Sequence, residues 1–374
     1  MDRKRKIVFI GFDIEGTGGI STYSRYQVRA LRESFENVRV YTLDKFDKQH
    51  NGYSDITIKY TNKLLLVKLL FNLIKEQKNI DFIIFNHVNL SFLGAILKKL
   101  YKIRYMIFGY NTDVLINLKG LYEFGFKNSE AIGIDCKYTI DRLKEFHNFV
   151  PTTHLLYDPI DTNFFKPNNQ KESQNIIAKK YNLNLSDKFI ITTIALMRKS
   201  GNKGHRLIID AIKKINNKNI LYFVTSGGED KKNIERYVKN NNMQKQVIFF
   251  GFVENELIPH FYNSSDLVAL ISKNEYGKGE GVPLGLIEAS SCEVPILAGD
   301  EDGSYEAISD KFPNGFRVNP RNIDEIAEKI KFYIDNPDIK KEHGENGRKF
   351  VIEEFEYSKF RDKQTSIIES ILND

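Results

Sequence analysis

The chain has 374 residues, of which 41% are hydrophobic and 28% are charged, and its formal net charge is +6. This length suits two domains, and the composition is ordinary for a globular protein. The mildly basic charge does not by itself indicate nucleic acid, and we expect no nucleic-acid partner; phosphorylated substrates or an anionic membrane surface fit at least as well.

The cysteine content excludes a disulfide-stabilised protein and a protein with a four-cysteine metal site. Cys136 and Cys292 are the only cysteines, so neither a disulfide framework nor a four-cysteine metal site is available, and a reducing cytosol fits best.

The apolar run at residues 7–10 is too short for a signal peptide. No run approaches the roughly 20 apolar residues of a transmembrane helix. We therefore expect a cytoplasmic protein that would meet a membrane only at its surface.

Short apolar runs alternate with helix-like segments through the first 150 residues. This alternation is typical of a doubly wound parallel sheet, in which ligands gather at the carboxyl ends of the strands. The predicted strands cover residues 7–10, 38–43, 56–60, 82–85, 105–108 and 131–134, with a polar loop at 44–53, and the predicted helices cover residues 20–34, 62–78, 92–101 and 137–146.

The predicted helix at residues 62–78 combines leucines with several lysines. A basic amphipathic helix can lie in a membrane interface. The alternative is a helix that packs on the sheet, and we favour it because most such helices face a core. Both interpretations hold if one edge of the helix stays exposed.

The chain changes character over residues 151–169, where few apolar residues are periodic. We place the domain junction there, with a second alternating series after it. The predicted strands of this series cover residues 189–195, 220–224, 247–250, 267–271 and 294–298, and the predicted helices cover residues 206–216, 233–240, 257–262, 286–292, 323–333 and 340–374.

Two carboxylates, Glu280 and Glu288, stand with seven residues between them in a strand–loop–helix–strand segment. A glycine-containing loop that leads into a helix exposes N–H groups suited to phosphate. Carboxylates repel phosphate and are better suited to hydroxyl groups. The segment therefore suggests a sugar nucleotide; the alternative is two surface carboxylates, one of them favourably placed at a helix N-terminus.

Arg198 and Lys203 lie on one short loop after a predicted strand. The planar guanidinium group of an arginine and the ammonium group of a lysine can together bind a diphosphate. A charged loop exposed to solvent is an equal alternative. The glycines Gly16, Gly18 and Gly19 do not match the dinucleotide fingerprint. They either close a turn or let the backbone approach a donor phosphate or sugar.

Polar residues also follow the strands of the first half. His87 is more often a structural residue than a catalyst in such a position. Asp113 can accept a proton, orient an acceptor hydroxyl or cap the following helix. No cluster of His, Cys, Asp and Glu has metal-ligand spacing.

Several motifs together resemble retaining glycosyltransferases of family 4, which have the two-Rossmann architecture called GT-B. The frame from Glu280 to Glu288 resembles the E-x7-E motif of that family. Arg198 with Lys203-Gly204 resembles its R…KG motif, and Gly18-Gly19 its N-terminal double glycine. Weaker similarities are found at Asp161 to Pro167, Gly251 to Val253 and Ser264 to Asp266.

The resemblance implies roles for individual residues. Arg198 and Lys203 would stabilise the leaving diphosphate in place of a metal, so the resemblance implies no metal and no cofactor. Glu280 would contact the donor sugar, and Glu288 would bind the ribose. The remaining implied donor-binding residues are Gly18, Gly19, Gly227, Gly281, Val282, Pro283, Leu284 and Val253. Many family members carry a histidine near residue 110, where this chain has Gly109, Tyr110 and Asn111. We therefore expect His87, Tyr110 and Asn111 at the acceptor side and assign Asp113 a catalytic role.

The resemblance also implies a fold and an activity. We expect an α/β protein with two doubly wound domains that face a central cleft: an acceptor domain at residues 1–160, a donor domain at 161–350, and a C-terminal helix at 351–374 that crosses back to the first domain. The activity implied is transfer of a hexose from a UDP- or GDP-sugar to a glycan or lipid-linked acceptor in bacterial surface polysaccharide synthesis, such as capsule or lipopolysaccharide. The alternatives are another enzyme of this fold (an epimerase or phosphorylase) and a non-catalytic sugar-nucleotide-binding module.

Overall fold

A computed structural model of the chain describes residues 3–16, 18–44, 52–60, 64–275 and 279–373. The chain divides into two compact units. The first unit is Met1–Pro159 together with Tyr357–Asp374, and the second unit is Ile160–Glu356. The sequence places the corresponding boundaries after residues 160 and 350. The second boundary lies at 356 because one helix ends at Glu354 and the next begins at Tyr357.

The first unit contains a seven-stranded sheet in which every paired strand is parallel. The middle strand, residues 82–85, is short and fully apolar, as expected when helices cover both faces. In order across the sheet the strands are 3-2-1-4-5-6-7. The strands are β1 (Lys6–Phe12), β2 (Asn37–Asp44), β3 (Ile56–Lys59), β4 (Phe82–Phe85), β5 (Arg104–Gly109), β6 (Ala131–Ile134) and β7 (Thr152–Leu155).

Helices cover both faces of this sheet. Buried leucines at positions 66, 69 and 73 pack one helix on the sheet, and they share a core with Leu93, Leu97 and Leu143 from other helices of the same face. Tyr23, Val28 and Leu31 pack the first helix in a separate core. The helices are α1 (Gly19–Ser34), α2 (Leu64–Lys75), α3 (Ser91–Tyr101), α4 (Asn111–Val114), α5 (Leu121–Lys127) and α6 (Lys137–Phe146).

The second unit repeats the plan with six parallel strands in the order 10-9-8-11-12-13. The strands are β8 (Phe189–Ile194), β9 (Ile220–Thr225), β10 (Val247–Gly251), β11 (Leu267–Leu270), β12 (Ile296–Gly299) and β13 (Gly315–Val318). The helices are α7 (Gln170–Tyr181), α8 (His205–Ile215), α9 (Lys231–Asn240), α10 (Ile258–Asn263), α11 (Leu284–Ser291), α12 (Ile323–Asp335) and α13 (Pro337–Glu354). Short 3₁₀ helices of the chain lie at Gln77–Asn79, Val88–Leu90, Asn255–Leu257 and Gly303–Ala307.

The last helix, α14 (Tyr357–Asn373), packs against α1 of the first unit. The hydroxyls of Ser34 and Thr365 are hydrogen-bonded at 2.7 Å in a buried position. Phe360 and Ile368 join the core around Tyr23. The helix therefore contributes to the first unit although it ends the chain, as the family resemblance implies.

Some elements differ from the sequence-based prediction. The predicted helix at 340–374 is two helices, and α4, α5, α7, β7 and β13 were not predicted. The short α4 and α5 flank Gly120, whose φ is 59°, and α7 is too polar to show a clear apolar stripe. Residues 45–51 of the predicted polar loop, 62–63 of the predicted helix 62–78, Thr17 and 276–278 lie outside the described residues.

In each sheet the strand order reverses at one pair of neighbouring strands, β1 and β4 in the first unit and β8 and β11 in the second. Parallel α/β sheets bind ligands beyond the carboxyl ends of the strands at such a point. In the second unit these ends lead into the loops with Arg198, Lys203 and Glu280. In the first unit they lead to Gly18 and His87.

Candidate active site

The loop between β8 and α8 carries both predicted donor cations. Its backbone folds back where the N–H of Gly201 donates to the carbonyl of Arg198 at 2.9 Å. Gly204 ends the loop with a φ of 72°, and a Cβ there would lie 2.1 Å from the carbonyl oxygen of Ile271. A residue without a side chain is therefore required where this loop meets the end of β11.

Lys203 and Glu280 form an ion pair beyond the carboxyl ends of β8 and β11. The Nζ of Lys203 lies 2.6 Å from Oε2 of Glu280, with side-chain exposures of 14% and 23%. The side-chain amide of Asn202 donates to Oε1 of the same carboxylate at 3.1 Å. The structure thus joins a cation after β8 to a carboxylate after β11, which the sequence separates by 77 residues.

A cavity of about 190 Å³ lies beside this contact. Among the residues that the structure describes, its lining contains five basic side chains and one carboxylate, that of Asp230, which pairs with Arg206 at 3.1 Å. A positively charged cluster is suited to an anionic group such as a diphosphate, which accepts hydrogen bonds from arginine and lysine. The basic lining residues are Arg198, Lys199, Lys203, Arg206 and Lys273.

The backbone of Glu280 is hydrogen-bonded to a buried polar cluster that the sequence did not indicate. Its N–H donates to Oδ2 of Asp302 at 2.8 Å, and its carbonyl accepts from the N–H of Gly303 at 3.0 Å. Oδ1 of Asp302 accepts from the Ser272 hydroxyl at 2.8 Å and from the N–H of Ser304 at 3.0 Å. Burial raises the pKa of Asp302, and these hydrogen bonds oppose the rise. The cluster fixes the backbone that presents the Glu280 carboxylate.

Glu288 has a different set of contacts from Glu280. It lies in α11 and accepts a hydrogen bond from the hydroxyl of Tyr262 at 2.6 Å. Burial raises the pKa of Glu288 to about 7, while the Tyr262 hydrogen bond opposes that rise. Between the two glutamates, Gly281 packs against Gly303, Val282 is half-buried, and Pro283 precedes α11, which begins at Leu284.

Gly227 follows β9 next to the loop with the two cations, whereas Val253, after β10, packs on an apolar core with Ile194 and Leu257. The N–H of Met197 donates to the carbonyl of Gly227 at 2.8 Å, which ties the Arg198 loop to the end of β9. The ring of Phe252 covers Gly227, since a Cβ at residue 227 would lie 2.6 Å from Cε2. Phe252 is 79% exposed. Through Gly227, the loop after β9 therefore contacts both the Arg198 loop and the loop after β10.

In the first unit, Gly18 and Gly19 form the start of α1. Gly18 has a φ of 121°, and a Cβ at either glycine would meet no atom within 4 Å. The loop before them is held by Arg25, whose guanidinium donates to the carbonyls of Ile14 and Gly16 at 3.1 and 2.7 Å. The N–H groups at the start of a 16-residue helix therefore border open space, which is suited to an anion.

The structure brings His87 and Asp113 together because they follow the neighbouring strands β4 and β5. Nδ1 of His87 lies 3.3 Å from Oδ2 of Asp113 and accepts from the N–H of Asn89 at 3.1 Å. Burial lowers the pKa of His87 to about 4 and raises the pKa of Asp113 to about 8. A neutral ring and a protonated carboxyl are therefore the favoured states near neutral pH.

Asp113 also has the structural role that the sequence left open. Its Oδ1 accepts from the N–H of Tyr110 at 2.6 Å and caps α4, in which Asn111 is the first residue. Two carboxylates absent from the sequence-based prediction, Asp135 and Asp158, interact electrostatically with buried Tyr110 and raise its pKa further. Asp135 follows β6, a strand that the sequence predicted, so its position could have identified it, whereas Asp158 follows β7, which the sequence did not predict.

Two negative findings concern the described part of the chain. Among its residues, no group of three or more His, Cys, Asp or Glu side chains could hold a metal ion. No helix among the same residues is both long enough and apolar enough to cross a membrane.

Comparison with known proteins identifies the class of the chain. The family described as glycosyl transferases group 1 matches residues 173–350. An uncharacterized glycosyltransferase of Methanocaldococcus jannaschii is 25% identical over an alignment of 348 residues that covers 89% of this chain and 89% of its own. A GDP-mannose-dependent alpha-(1-6)-phosphatidylinositol monomannoside mannosyltransferase of Mycobacterium tuberculosis is 24% identical over 54% of this chain and 52% of its own.

A solved structure supports the same assignment at the level of the fold. HepE of Anabaena, solved in complex with UDP, superposes with a TM-score of 0.81 at 15% identity, covering 98% of this chain and 100% of its own. The chain is therefore an enzyme of the glycosyltransferase class. More particularly, residues 173–350, within the second unit, match the group 1 glycosyltransferase family, and the two units have the GT-B fold.

Proposed function

We propose that the enzyme is a retaining glycosyltransferase that moves a hexose from a nucleotide-diphosphate sugar to a glycan or lipid-linked acceptor. The observation that carries the proposal is the Lys203–Glu280 contact beside the cationic cavity that Arg198 also lines. Positive charge at this point is suited to a diphosphate, and the adjacent carboxylate is suited to the hydroxyls of the attached sugar.

The assigned roles follow from where charge develops during transfer. Departure of the nucleoside diphosphate places negative charge on its outer phosphate, and Arg198 and Lys203 stabilise that charge. Glu280 orients the sugar, and Glu288 accepts hydrogen bonds from the ribose. The chain's own cations provide this stabilisation in the proposal, which includes no metal and no cofactor.

The relatives support the nature of the substrates. The mycobacterial relative is named for GDP-mannose and for a phosphatidylinositol monomannoside, and HepE was solved with UDP. We therefore include both UDP- and GDP-sugars as donors and a lipid-linked acceptor among the acceptors. A role in bacterial surface polysaccharide synthesis, a cytoplasmic location and contact with an anionic membrane complete the proposal. The first rests on the family resemblance, and the second on the cysteine content, which fits a reducing cytosol.

The first experiment measures donor turnover by the purified full chain. UDP- and GDP-hexoses are supplied with and without a crude glycolipid fraction, and release of UDP or GDP is followed together with the anomeric configuration of the product. We expect release that requires Arg198 and Lys203, and a product with the donor's configuration.

Two variants and a control define the site. Arg198→Ala and Lys203→Met should each reduce turnover by about 10²-fold or more, as expected for removing a group that stabilises transition-state charge. Lys218→Met is the control, because Lys218 is exposed on the loop before β9, at the opposite end of the strands. Wild-type turnover in both site variants would contradict the proposed site, and an inverted product would contradict the retaining mechanism.

A further inference from the structure

Helix α2 of the first unit has an exposed apolar stripe opposite its buried side. Leu66, Leu69 and Leu73 are buried in the core. Leu64 is 75% exposed, Val67 49% and Phe71 60%. The exposed positions are three and four residues apart, so they lie on one face of the helix. The buried face agrees with the interpretation of a helix packed on the sheet, and the exposed edge is the condition that the interface interpretation requires.

The charged side chains of α2 itself have a single sign. Helix α2 contains no Asp or Glu, and its two lysines, Lys68 and Lys75, are exposed. The next residue, Glu76, forms a hydrogen-bonded ion pair with Arg39. Lys78 is exposed in the short 3₁₀ helix that follows. A positive, apolar surface results, with its adjoining carboxylate already paired.

This combination discriminates between possible partners. The cores of protein–protein interfaces are depleted in lysine, so a second copy of the chain or another protein fits the stripe less well. Apolar side chains flanked by lysine are typical of helices that lie in the interface of an anionic bilayer. The helix is roughly 18 Å long at 1.5 Å per residue, so it would lie along the surface.

We propose that the stripe formed by Leu64, Val67, Lys68, Phe71 and Lys75 docks the enzyme on an anionic phospholipid surface. The apolar side chains enter the boundary between headgroups and acyl chains, and the lysines remain at the level of the phosphates. The inference gives a location to the membrane contact in the proposed function. Its physical basis is independent of the donor site, since all five residues belong to α2.

Vesicle flotation with the full chain tests the proposal. The vesicles are phosphatidylcholine alone or phosphatidylcholine with phosphatidylglycerol, at low and high salt. We expect binding to the anionic vesicles only, weakened by salt because screening reduces the attraction of the lysines.

Two double variants separate the apolar and the electrostatic contributions. Leu64→Ser with Phe71→Ser, and Lys68→Glu with Lys75→Glu, should each lower the partition coefficient at least about tenfold. Ile352→Ser and Lys341→Glu are matched controls on α13, where both side chains are exposed. UDP-sugar hydrolysis in solution should be the same in all variants, so loss of docking is distinguishable from failure of the proposed function.

Three results would overturn the proposal. The first is a wild-type chain that stays unbound to anionic vesicles at low salt. The second is undiminished binding by both double variants. The third is concentration-dependent dimerisation in sedimentation velocity that Leu64→Ser with Phe71→Ser abolishes, which would assign the stripe to a second copy of the chain.

Discussion

The Nζ of Lys203 lies 2.6 Å from Oε2 of Glu280, so the cation proposed to hold the leaving phosphate is paired with the carboxylate proposed to face the sugar. An incoming diphosphate would therefore compete with Glu280 for Lys203. Loop residues after β8 and β11 form this pair, and Asn202 supports it through a second oxygen of the carboxylate.

We expect Glu280→Gln to separate donor binding from transfer. Glutamine removes the negative charge that competes for Lys203, so the Kd for UDP or GDP alone should fall or stay the same. The turnover number should decrease, because the sugar loses its orienting carboxylate. Isothermal titration with the nucleotide and steady-state kinetics check the two parts, and weaker nucleotide binding by Glu280→Gln would contradict the competition.

The Lys203–Glu280 pair should contribute little to stability. Both side chains keep some contact with solvent, and pairs of this kind typically contribute up to about 1 kcal/mol. A double-mutant cycle with Lys203→Met and Glu280→Gln, measured by urea unfolding, gives the coupling free energy directly. A coupling of several kcal/mol would instead assign the pair a mainly structural role.

Two glycines in the Arg198 loop offer a matched comparison. Gly201 and Gly204 have φ values of 65° and 72°, so alanine is strained at either position. A Cβ at Gly201 meets nothing within 4 Å, whereas at Gly204 it would meet the carbonyl of Ile271 at 2.1 Å. We expect Gly204→Ala to lose nucleotide affinity and more stability than Gly201→Ala. Equal losses in titration and urea unfolding would argue against a tight junction between β8 and β11 loops.

The buried carboxyl of Glu288 predicts a pH dependence of stability. Its pKa is about 7 in the folded chain, against an ordinary value of 4.5. The folded state holds the proton more tightly, so the stabilisation is full below pH 4.5 and is lost as the pH rises through 7. Urea unfolding from acid to neutral pH should show this loss in the wild type and a smaller one in Glu288→Gln. Parallel profiles would contradict the assignment.

Asp113 allows its capping role to be separated from a catalytic one. Asparagine can still accept the hydrogen bond from the N–H of Tyr110, whereas alanine removes that bond at a cost of about 1 kcal/mol. If Asp113 takes part in transfer, Asp113→Asn should keep the wild-type unfolding free energy and lose turnover with little change in KM. If it only caps the helix, Asp113→Asn should behave as the wild type in both measurements, which would remove Asp113 from the catalytic residues.

The sequence by itself determined the fold class and the residues of the candidate donor site in the second unit. Local signals were sufficient for this: apolar runs of strand length, helix-like segments between them, and the motifs around Arg198, Lys203 and Glu280. It also indicated the amphipathic helix α2, because apolar periodicity is a property of neighbouring residues. The weaker elements α4, α5 and α7 were missed because their short or polar segments lack that periodicity.

Only the tertiary structure decided which of these residues meet. The Lys203–Glu280 contact depends on β8 and β11 being neighbours, and the Asp302 cluster joins Ser272 to a loop some 30 residues later. The His87–Asp113 contact likewise depends on the adjacency of β4 and β5. Strand order is set by the packing of the whole sheet, so no local pattern specifies it. The same packing determines burial, and burial is what shifts the pKa values of Glu288 and Asp113.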